Sequence, residues 1–279
     1  MKILLLGKNG LLGNELNRAF SPDESIDLIA LGHDGLDITD ENAVYEFLKE
    51  EKPNLVINAA AFTYVDDCET KENFVMDVNG HANEHLAKIC HEIDAKLMYF
   101  STDYVFDGEK DDGYFENDKT GPINVYGKSK LLGETLIQEN TDQFYIIRTS
   151  WLFGMQGKNF VKTMLELANA KKTISVVNDQ IGKPTYSHDL AENVFNFVKT
   201  GYDFGIYHMT NERVTSWYDF AANIFRIAKI NVDLIPVTSK EFSRPAKRPR
   251  ISTLINTKLP PMRDHLDALA SYMKELKII

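Results

Sequence analysis

Short apolar runs alternate with amphipathic stretches along the first two thirds of the chain. Residues 3–6 and 55–57 are apolar throughout, which is typical of strands covered by helices on both faces. The predicted strands are residues 2–7, 27–31, 55–58, 96–101, 144–149 and 173–177. Because strands that alternate with helices form parallel βαβ units, the pattern predicts an α/β fold with a doubly wound parallel sheet.

The pattern becomes irregular past residue 177. A short apolar run stands at residues 206–208, a helical pattern at about 216–228, and a basic, proline-containing segment at 244–250. Helical spacing returns from about residue 262 to the end. We find no internal repeat and no flexible linker, so the irregular part is expected to pack closely on the main sheet.

A glycine-rich turn follows the first predicted strand. Gly7, Gly10 and Gly13 are spaced G-x-x-G-x-x-G, and a helical pattern comes next. Glycines at such a turn let backbone N–H groups approach a pyrophosphate at a helix N-terminus. A tight turn that binds nothing has the same pattern, but the position between strand and helix favours a dinucleotide. Asp34, about twenty residues further along, would favour NADH by holding a ribose hydroxyl group. Lys8, within the turn, would favour NADPH by meeting its phosphate, so the preference between the two cofactors stays open.

Tyr126 and Lys130 form the pair most indicative of chemistry. They lie four residues apart at the start of a predicted helix, so both side chains fall on one helical face. An ammonium near a phenol stabilises the phenolate, and we therefore expect the pKa of Tyr126 to fall below its ordinary value of about 10. Such a tyrosine passes a proton to a carbonyl oxygen while a hydride reaches the carbon. The simpler alternative is a solvated Tyr-x-x-x-Lys pair.

Hydroxyl groups follow the fourth predicted strand. Ser101 and Thr102 stand at its carboxyl end, and in a parallel sheet this edge faces the ligand crevice. We expect Thr102 to hydrogen-bond the same carbonyl oxygen as Tyr126. Such residues also cap ordinary turns. The glycine turn, these hydroxyls and the Tyr–Lys pair occur in the order that one reductase site requires.

Composition and charge narrow the class of protein. The chain has 279 residues, 43% of them apolar, with a formal net charge of −10. This acidic balance argues against a nucleic-acid partner, because a phosphate backbone needs a basic surface. Two cysteines make a disulfide framework improbable. The first apolar run is too short for a signal peptide or a membrane span, and we expect a cytoplasmic protein without a membrane partner.

The chain resembles the dTDP-4-dehydrorhamnose reductases, extended short-chain dehydrogenases that complete dTDP-L-rhamnose synthesis. The likeness covers nearly the whole chain. It is carried by the glycine turn at residues 7–13, Asn-Ala-Ala-Ala at 58–61, Ser-Thr-Asp-Tyr-Val-Phe at 101–106, Tyr-Gly-Lys-Ser-Lys at 126–130, Arg-Thr-Ser-Trp at 148–151, Asn-Asp-Gln-x-Gly-x-Pro-Thr at 178–185 and Arg-Pro-x-x-Ser-x-Leu at 248–254. The fourth-strand motif and the last motif are the most selective.

The resemblance implies a Rossmann-type fold and a reaction. Residues 1–177 are expected to form mainly the NAD(P)-binding domain. Residues 178–279 are expected to form mainly a smaller C-terminal substrate lobe, with some segments returning to the core. The implied reaction transfers hydride from NADPH or NADH to C4 of dTDP-4-dehydro-β-L-rhamnose, and gives dTDP-β-L-rhamnose. The implied partner is this dTDP-sugar, and the chain is expected to be a monomer or a homodimer.

Individual residues acquire roles through the same resemblance. Tyr126 is the expected proton donor, Lys130 its partner on the nicotinamide ribose, and Thr102 the group that orients the carbonyl. Besides Tyr126 and Lys130, the expected cofactor-binding residues are Gly7, Gly10, Leu11, Leu12, Gly13, Asp37, Ile38, Ala61, Phe62 and Thr63. The expected substrate-binding residues are Thr102, Asp103, Tyr104, Trp151 and Arg248. Asn79 is expected to support the active site.

Several alternatives remain. Residues 81–85 match the H-x-x-E-H pattern of a metallopeptidase class, but we interpret them as a helical surface and predict no metal site. Mg²⁺, described for some family members, is not demanded by any spacing. The basic residues Lys247, Arg248 and Arg250 would supply charge for a diphosphate, or form a solvated loop. Competing functions are another NAD-dependent sugar-nucleotide epimerase or dehydratase, and a non-catalytic subunit like that of methionine adenosyltransferase.

Overall fold

A computed structural model describes residues 1–279 as strands and helices in alternation. The strands are β1 (Lys2–Leu6), β2 (Asp27–Leu31), β3 (Leu55–Asn58), β4 (Lys96–Thr102), β5 (Phe144–Thr149), β6 (Leu152–Phe153), β7 (Thr173–Val177), β8 (Ile181–Gly182), β9 (Thr185–Tyr186), β10 (Gly205–His208), β11 (Thr215–Ser216) and β12 (Asp233–Val237). The α-helices are α1 (Leu11–Phe20), α2 (Glu41–Glu51), α3 (Val65–Cys68), α4 (Glu72–Met76), α5 (Ala82–Glu92), α6 (Val125–Asn140), α7 (Phe160–Ala170), α8 (Ser187–Thr200), α9 (Trp217–Ala228) and α10 (His265–Glu275). A π-helical turn spans Asp77–His81, and a 3₁₀ turn spans Asp103–Val105.

Six parallel strands form the central sheet in the order β10-β5-β4-β3-β1-β2. The chain runs outward from β1 to β2 and then crosses back to β3, so the strand order reverses between β1 and β3. In open α/β sheets, ligands bind at the carboxyl ends of the strands beside such a reversal. The doubly wound fold predicted from the sequence is confirmed.

Two apolar layers cover the sheet. One contains Leu16 of α1 and Val194 of α8, and the other contains Val44 of α2 and Leu86 of α5. All four side chains are fully buried. Both faces of β1 are therefore covered, which explains its continuous apolar run. No helix of this structure combines the length and the apolar character that crossing a bilayer requires.

One predicted strand lies outside the central sheet. β7 has the bounds expected for residues 173–177, but it pairs in parallel with β12 in a separate two-stranded sheet. The edge position beside β5 is taken by β10, which the sequence shows only as a short apolar run. Thr173 and Ser175 are exposed whereas Ile174 and Val176 are buried. This alternation is the pattern of a strand with only one covered face.

A separate aromatic core, in the part of the molecule called here the lobe, lies outside the two layers that cover the central sheet. Phe153, Tyr186, Phe220 and Tyr272 are almost completely buried there, with ring centroids 5.4 to 5.7 Å from Phe153. Helix α8 and β10 return from this part of the chain to the central sheet. The division of the chain at residue 177 into two functional parts stays a prediction.

Candidate active site

The glycine turn joins β1 to α1 at the reversal of strand order. Gly7 has a φ of 81°, a conformation that side chains with a Cβ rarely adopt, and a Cβ there would lie 2.6 Å from the backbone nitrogen of Ala60. Helix α1 begins after Gly10 without a side-chain cap. Its first backbone N–H groups are therefore free to bind an anion, and the positive end of the helix dipole lies beside them.

Helix α6 carries Tyr126 and Lys130 and begins at a side-chain cap. The Asn124 Oδ1 atom accepts a hydrogen bond of 2.7 Å from the backbone nitrogen of Gly127, and its Nδ2 atom donates to the Lys247 carbonyl at 2.8 Å. An asparagine in this position satisfies an N–H group that the helix leaves unpaired. The cap thus fixes the first turn of α6, where Tyr126 lies, and ties it to the basic segment near Lys247.

The predicted catalytic residues lie around one cavity of about 380 Å³, called here the central cavity. Its lining comprises Gly10, Leu11, Leu12, Ala59, Ala60, Ala61, Thr63, Phe100, Ser101, Thr102, Asp103, Tyr126, Lys130, Thr149, Ser150, Trp151, Leu152 and Lys158. The start of α1, the ends of β4 and β5 and the first turn of α6 all contribute to this wall. A phenol, an ammonium and a threonine hydroxyl thus border the same space as the glycine turn.

Lys130 is buried beneath this cavity. Its side chain is 2% exposed, and its Nζ atom lies 4.0 Å from the centroid of the Tyr99 ring. Burial lowers the pKa of Lys130 to about 7, against the opposing effect of the Glu134 carboxylate. The ring face of Tyr99 also favours the charged ammonium. Lys130 therefore changes charge near neutral pH.

Tyr126 does not have the lowered pKa that the sequence leads us to expect. Burial raises the pKa of Tyr126 above its ordinary value, and a hydrogen bond with Thr102 acts in the opposite direction. The hydration that the phenolate loses on burial outweighs the stabilisation that Thr102 provides. The expectation of a lowered pKa is wrong for this structure, and Tyr126 is a fully protonated acid at neutral pH.

Glu134 and Arg148 form an ion pair in the interior behind Lys130. The Arg148 Nε and Nη2 atoms donate to the two carboxylate oxygens of Glu134 at 2.9 and 2.6 Å. Glu134 is fully buried and Arg148 is 2% exposed. Helix α6 places Glu134 four residues after Lys130, on the same face. The pair joins α6 to β5 and gives Lys130 an acidic neighbour.

Several polar atoms around the central cavity have no partner within the protein. Ser101 Oγ, Asp103 Oδ2 and Thr149 Oγ1 are buried and form no hydrogen bond. Thr102 Oγ1 donates to Asp103 Oδ1 at 3.0 Å. Burial raises the pKa of Asp103 to about 7, although the nearby polar groups of Ser252 and Thr102 oppose the shift. Unpaired buried groups are costly, and these fit the hydroxyl groups of a bound ribose or sugar.

Asn79 connects two walls of the site from the π-helical turn. Its Oδ1 atom accepts from the Phe62 nitrogen at 2.8 Å, and its Nδ2 atom donates to the Phe62 carbonyl at 2.9 Å and to Ser129 Oγ at 3.0 Å. Asn79 is completely buried. It thereby holds the segment after β3 at a fixed distance from α6. This contact agrees with the supporting role expected for Asn79, which stays a prediction.

A second cavity of about 450 Å³, called here the outer cavity, adjoins the first. It is lined by Gly7, Asn9, Gly10, Gly32, His33, Leu36, Asp37, Ile38, Thr39, Ala59, Ala60, Ala61, Phe62, Phe74 and Val78. Gly10, Ala59, Ala60 and Ala61 belong to both cavities. The two cavities thus adjoin at the glycine turn, which suits an extended dinucleotide. Backbone approach at the turn, free helix N–H groups and unpaired hydroxyls all fit such a ligand.

Trp151 of the central cavity stacks on Trp217, which lines a third cavity. Its ring stacks on Trp217 with centroids 3.6 Å apart and planes 6° from parallel, and its backbone has a φ of 48°. The third cavity, called here the lobe cavity, has a volume of about 330 Å³ and is lined by Tyr104, Phe160, Thr163, Met164, Leu167, Ser175, Val176, Val177, Gln180, Trp217, Phe242, Arg244 and Arg248. Strained backbone of this kind persists where the surroundings fix it, and it is frequent at ligand sites.

The basic segment at residues 244–250 lies against α3. Arg248 Nη1 lies 2.5 Å from Asp66 Oδ1, and the backbone nitrogen of Ala246 donates to the same oxygen at 3.2 Å. Arg250 pairs with Asp111 at 2.5 Å across an exposed surface. Of the predicted phosphate-binding arginines, Arg248 therefore borders the lobe cavity and Arg250 faces solvent. Both already have a carboxylate partner.

Comparisons with known proteins agree with this geometry. The family model described as RmlD substrate binding domain matches residues 1–277. The chain is 39% identical over 269 residues to the dTDP-4-dehydrorhamnose reductase of Aggregatibacter actinomycetemcomitans, with 92% of each chain covered. The chain belongs to the dTDP-4-dehydrorhamnose reductase family. The family predicted from the sequence motifs is thereby confirmed.

Solved structures of this reductase family share the whole fold. A dTDP-4-dehydrorhamnose reductase from Clostridium acetobutylicum is 40% identical and superposes with a TM-score of 0.96, covering 99% of this chain and 100% of that one. The reductase from Bacillus anthracis, crystallised with NADP, is 36% identical with a TM-score of 0.94, covering 98% and 99% of the two chains. The expected use of NAD(P)H is thus supported within the family.

The structure distributes the predicted residues of this reductase over three cavities. Those in the central cavity are Gly10, Leu11, Leu12, Ala61, Thr63, Thr102, Asp103, Tyr126, Lys130 and Trp151. Those in the outer cavity are Gly7, Gly10, Asp37, Ile38, Ala61 and Phe62. Tyr104 and Arg248 border the lobe cavity, whereas Gly13 lies buried in α1 and lines none of the three. The roles of these residues stay predictions.

Sequence reasoning missed further residues of the site. Thr149 and Ser150 line the central cavity from the end of β5, and the resemblance had marked their segment without giving them a role. Lys158 also borders this cavity from an exposed loop, and nothing in its local sequence indicates that position. Trp217 stacks on a residue 66 positions earlier, which no local pattern shows.

The motif at residues 81–85 spans the end of the π-helical turn and the first turn of α5. His85 lies 3.3 Å from Glu41, and His81 lies 4.0 Å from Glu84. No group of three or more histidine, cysteine, aspartate or glutamate side chains is arranged to hold a metal ion. Both histidines therefore lie beside carboxylates of neighbouring helix positions.

Proposed function

We propose that this enzyme reduces the C4 keto group of dTDP-4-dehydro-β-L-rhamnose to give dTDP-β-L-rhamnose. The observation that carries the proposal is the central cavity, where Tyr126, Lys130 and Thr102 border the same space as the glycine turn. Relatives named dTDP-4-dehydrorhamnose reductase match over nine tenths of the chain and support the choice of sugar nucleotide.

Tyr126 is the proposed proton donor. Because burial raises its pKa, the phenol holds its proton until a carbonyl oxygen becomes basic. NAD(P)H, when bound, supplies the hydride that the C4 carbon receives. The carbonyl oxygen then takes the phenolic proton, and Tyr126 is left as a phenolate.

Lys130 and Thr102 are the proposed partners of this proton transfer. A protonated Lys130 offsets the charge of the phenolate. The attraction between these two charges is strongest in a site shielded from water. Thr102 contacts Tyr126, and its proposed role is to hydrogen-bond the same C4 carbonyl oxygen. Ser101, Asp103 and Thr149 offer their unpaired oxygens to hydroxyl groups of the bound molecules.

The nucleotide part of the substrate is proposed to extend past Trp151 into the lobe cavity. Apolar and aromatic side chains line this space, which suits a base, and Arg244 and Arg248 lie at its edge. The Asp66 carboxylate faces both arginines, at 2.5 Å from Arg248 and 3.8 Å from Arg244. A diphosphate would therefore meet positioned guanidinium groups whose orientation Asp66 already fixes.

The proposal is tested by following oxidation of NADPH and NADH in the presence of dTDP-4-dehydrorhamnose. This substrate is generated from dTDP-glucose by the two preceding enzymes, and the product sugar is identified by nuclear magnetic resonance. We expect stoichiometric formation of dTDP-rhamnose. Binding of a nicotinamide dinucleotide without oxidation by the keto-sugar would contradict the proposed function.

We also infer that the enzyme works in the cytoplasm as a monomer or a homodimer. The acidic composition and the small number of cysteines support this location. Light scattering of the purified chain measures the oligomeric state. A stable assembly larger than a dimer would contradict the inference.

A further inference from the structure

We propose that Trp217 is a positioning residue for the sugar, and that it acts by holding the ring of Trp151 at the wall of the central cavity. The proposal rests on the proposed function, because it takes a dTDP-sugar as the molecule that contacts Trp151. The centroids of the two rings lie 3.6 Å apart. They are the only tryptophans of the chain, and each lines a different cavity.

The backbone of Trp151 is fixed by the segment around β8 and β9. Just before it, the Ser150 hydroxyl group donates to the Lys183 carbonyl at 2.6 Å. The Trp151 carbonyl accepts from the Thr185 backbone nitrogen at 3.2 Å. With a φ of 48°, Trp151 lies in the left-handed region that a bulky residue rarely adopts. The direction in which its ring leaves the chain is therefore set by the surrounding backbone.

The Trp151 ring lies directly against the backbone of β8. A Cβ atom on Gly182 would lie 2.7 to 2.9 Å from three atoms of the indole ring, so only a glycine fits there without moving the ring. Strand β8 pairs with β11, and Trp217 follows β11 at the start of α9. One small sheet thus carries both surfaces that contact the Trp151 ring.

Trp217 is itself held by the aromatic core of the lobe. Its ring centroid lies 4.4 Å from that of Phe160 and 6.4 Å from that of Phe220, which is fully buried. At the start of α9 the Ser216 hydroxyl oxygen accepts from the Asp219 backbone nitrogen at 2.9 Å. The position of Trp217 is therefore fixed by the buried core and by the helix cap together.

Exposure distinguishes the two tryptophans from the aromatic core. Phe153 is completely buried, whereas Trp151 and Trp217 are only partly buried. Trp151 shares the wall of the central cavity with Thr102 and Tyr126. Rings that only fill a core need no access to a ligand. The partly exposed Trp151 ring instead offers a flat apolar surface to the C–H groups of a sugar whose carbonyl lies beside the proposed acid.

The first test compares the steady-state kinetics of two variants with dTDP-4-dehydrorhamnose. We expect Trp217→Leu to raise KM about threefold to tenfold, since an aromatic pair is worth about that factor beyond its buried area. Trp217→Phe keeps a flat ring and should restore KM to within about twofold of the unchanged enzyme. Dinucleotide affinity should not change in either variant, because Trp217 does not line the outer cavity. An unchanged KM in Trp217→Leu would overturn the inference.

Tyr218→Leu is the matched control for these variants. Tyr218 is the next residue of α9 and lines none of the three cavities. The same loss of an aromatic ring should here leave KM unchanged. A rise in KM equal to that of Trp217→Leu would overturn the inference, because it would show a general disturbance of the lobe.

A double-mutant cycle shows whether Trp217 acts through Trp151. Trp151→Leu alone should raise KM at least as much as Trp217→Leu does. With Trp151 already replaced, Trp217→Leu should change KM by less than about twofold, because the ring that it holds is gone. Additive effects would overturn the inference, since Trp217 would then contact the substrate directly or only stabilise the lobe.

Tryptophan fluorescence gives a readout that does not depend on how a variant folds. All indole emission of the unchanged enzyme comes from this stacked pair. With NADP⁺ present throughout, we expect dTDP-rhamnose to change the emission much more than dTDP does. An equal change with dTDP would place the sugar away from Trp151 and overturn the inference. Absence of both dTDP-rhamnose binding and turnover would contradict the proposed function itself, whereas normal turnover with an unchanged KM in Trp217→Leu would remove only the positioning role.

Discussion

The central and outer cavities adjoin at the glycine turn, yet they are built from different kinds of positions. Thr102, Asp103 and Lys130 in the central cavity are 6%, 2% and 2% exposed. His33 and Asp37 in the outer cavity have 79% and 44% of their side chains exposed. Proton transfer needs groups with altered pKa values at fixed positions, and burial provides both. Residues that only contact an extended ligand need no altered pKa value, so exposed side chains suffice there.

Burial also explains why the central cavity is sensitive to pH. The pKa of Lys130 is lowered to about 7, and the pKa of Asp103 is raised to about 7. Both shifts have the same cause, because a charged group of either sign loses hydration when it is buried. The two groups therefore change charge over the same pH range, Lys130 from positive to neutral and Asp103 from neutral to negative.

Replacing Tyr126 with phenylalanine should have the largest effect. We expect Tyr126→Phe to lower kcat by about 100-fold to 10,000-fold, since it removes the proposed proton donor. Dinucleotide affinity should change little, because the glycine turn and the outer cavity are untouched. Stopped-flow turnover and fluorescence titration measure the two quantities. Turnover near the unchanged rate would assign proton donation to another group.

Breaking the buried ion pair should have the next largest effect, this time on folding. Glu134→Gln leaves the Arg148 guanidinium buried without its carboxylate, and we expect the free energy of unfolding to fall by about 3–5 kcal/mol. Urea denaturation measures this change. The double variant Glu134→Gln, Arg148→Met is the control and should recover part of the loss. An unchanged midpoint for Glu134→Gln would show that the pair is not sealed from water.

The pH dependence of the rate should follow Lys130. Its ammonium is charged below pH 7 and neutral above, so the support for the Tyr126 phenolate is lost as pH rises. We expect kcat/KM to decline with a break near pH 7, by about tenfold per pH unit beyond it. Steady-state rates between pH 5 and 9 (roughly the range that covers both sides of the break) measure the profile.

Two variants separate Lys130 from Asp103 in this profile. Lys130→Arg keeps its charge throughout the range and should remove the break. Asp103→Asn cannot ionise and should keep it. A break that persists in Lys130→Arg and disappears in Asp103→Asn would assign the titration to Asp103.

The contrast between buried and exposed positions also explains what the sequence could predict. β1, β3, β4 and β5 follow from their apolar runs, because both faces of each strand are covered, whereas β2 at the sheet edge is only half-buried. Tyr126 and Lys130 follow from their spacing, because a helix brings residues four apart onto one face. The Thr173–Val177 strand instead has polar residues at alternate positions, which agrees with its one covered face and its place outside the central sheet.

What depends on contacts between distant segments could not be predicted. Trp217 contacts Trp151 only in the folded structure, because 66 positions separate them in the chain. Lys158 borders the central cavity from a loop. The raised pKa of Tyr126 likewise depends on how much water the folded cavity excludes, which spacing does not show. Tyr126 therefore lies in the central cavity and its role as the acid stays a prediction, whereas the direction expected for its pKa is wrong.

The smallest effect is expected at the exposed ion pair. Arg250 and Asp111 lie 2.5 Å apart, but their side chains are 52% and 78% exposed. Water and salt screen such a pair, so it contributes little to folding. We expect Arg250→Gln to leave the denaturation midpoint and the turnover rate unchanged within error. If Arg250→Gln instead raised KM for the sugar nucleotide, its guanidinium would belong to the diphosphate site, and exposure would no longer separate binding residues from surface residues in this lobe.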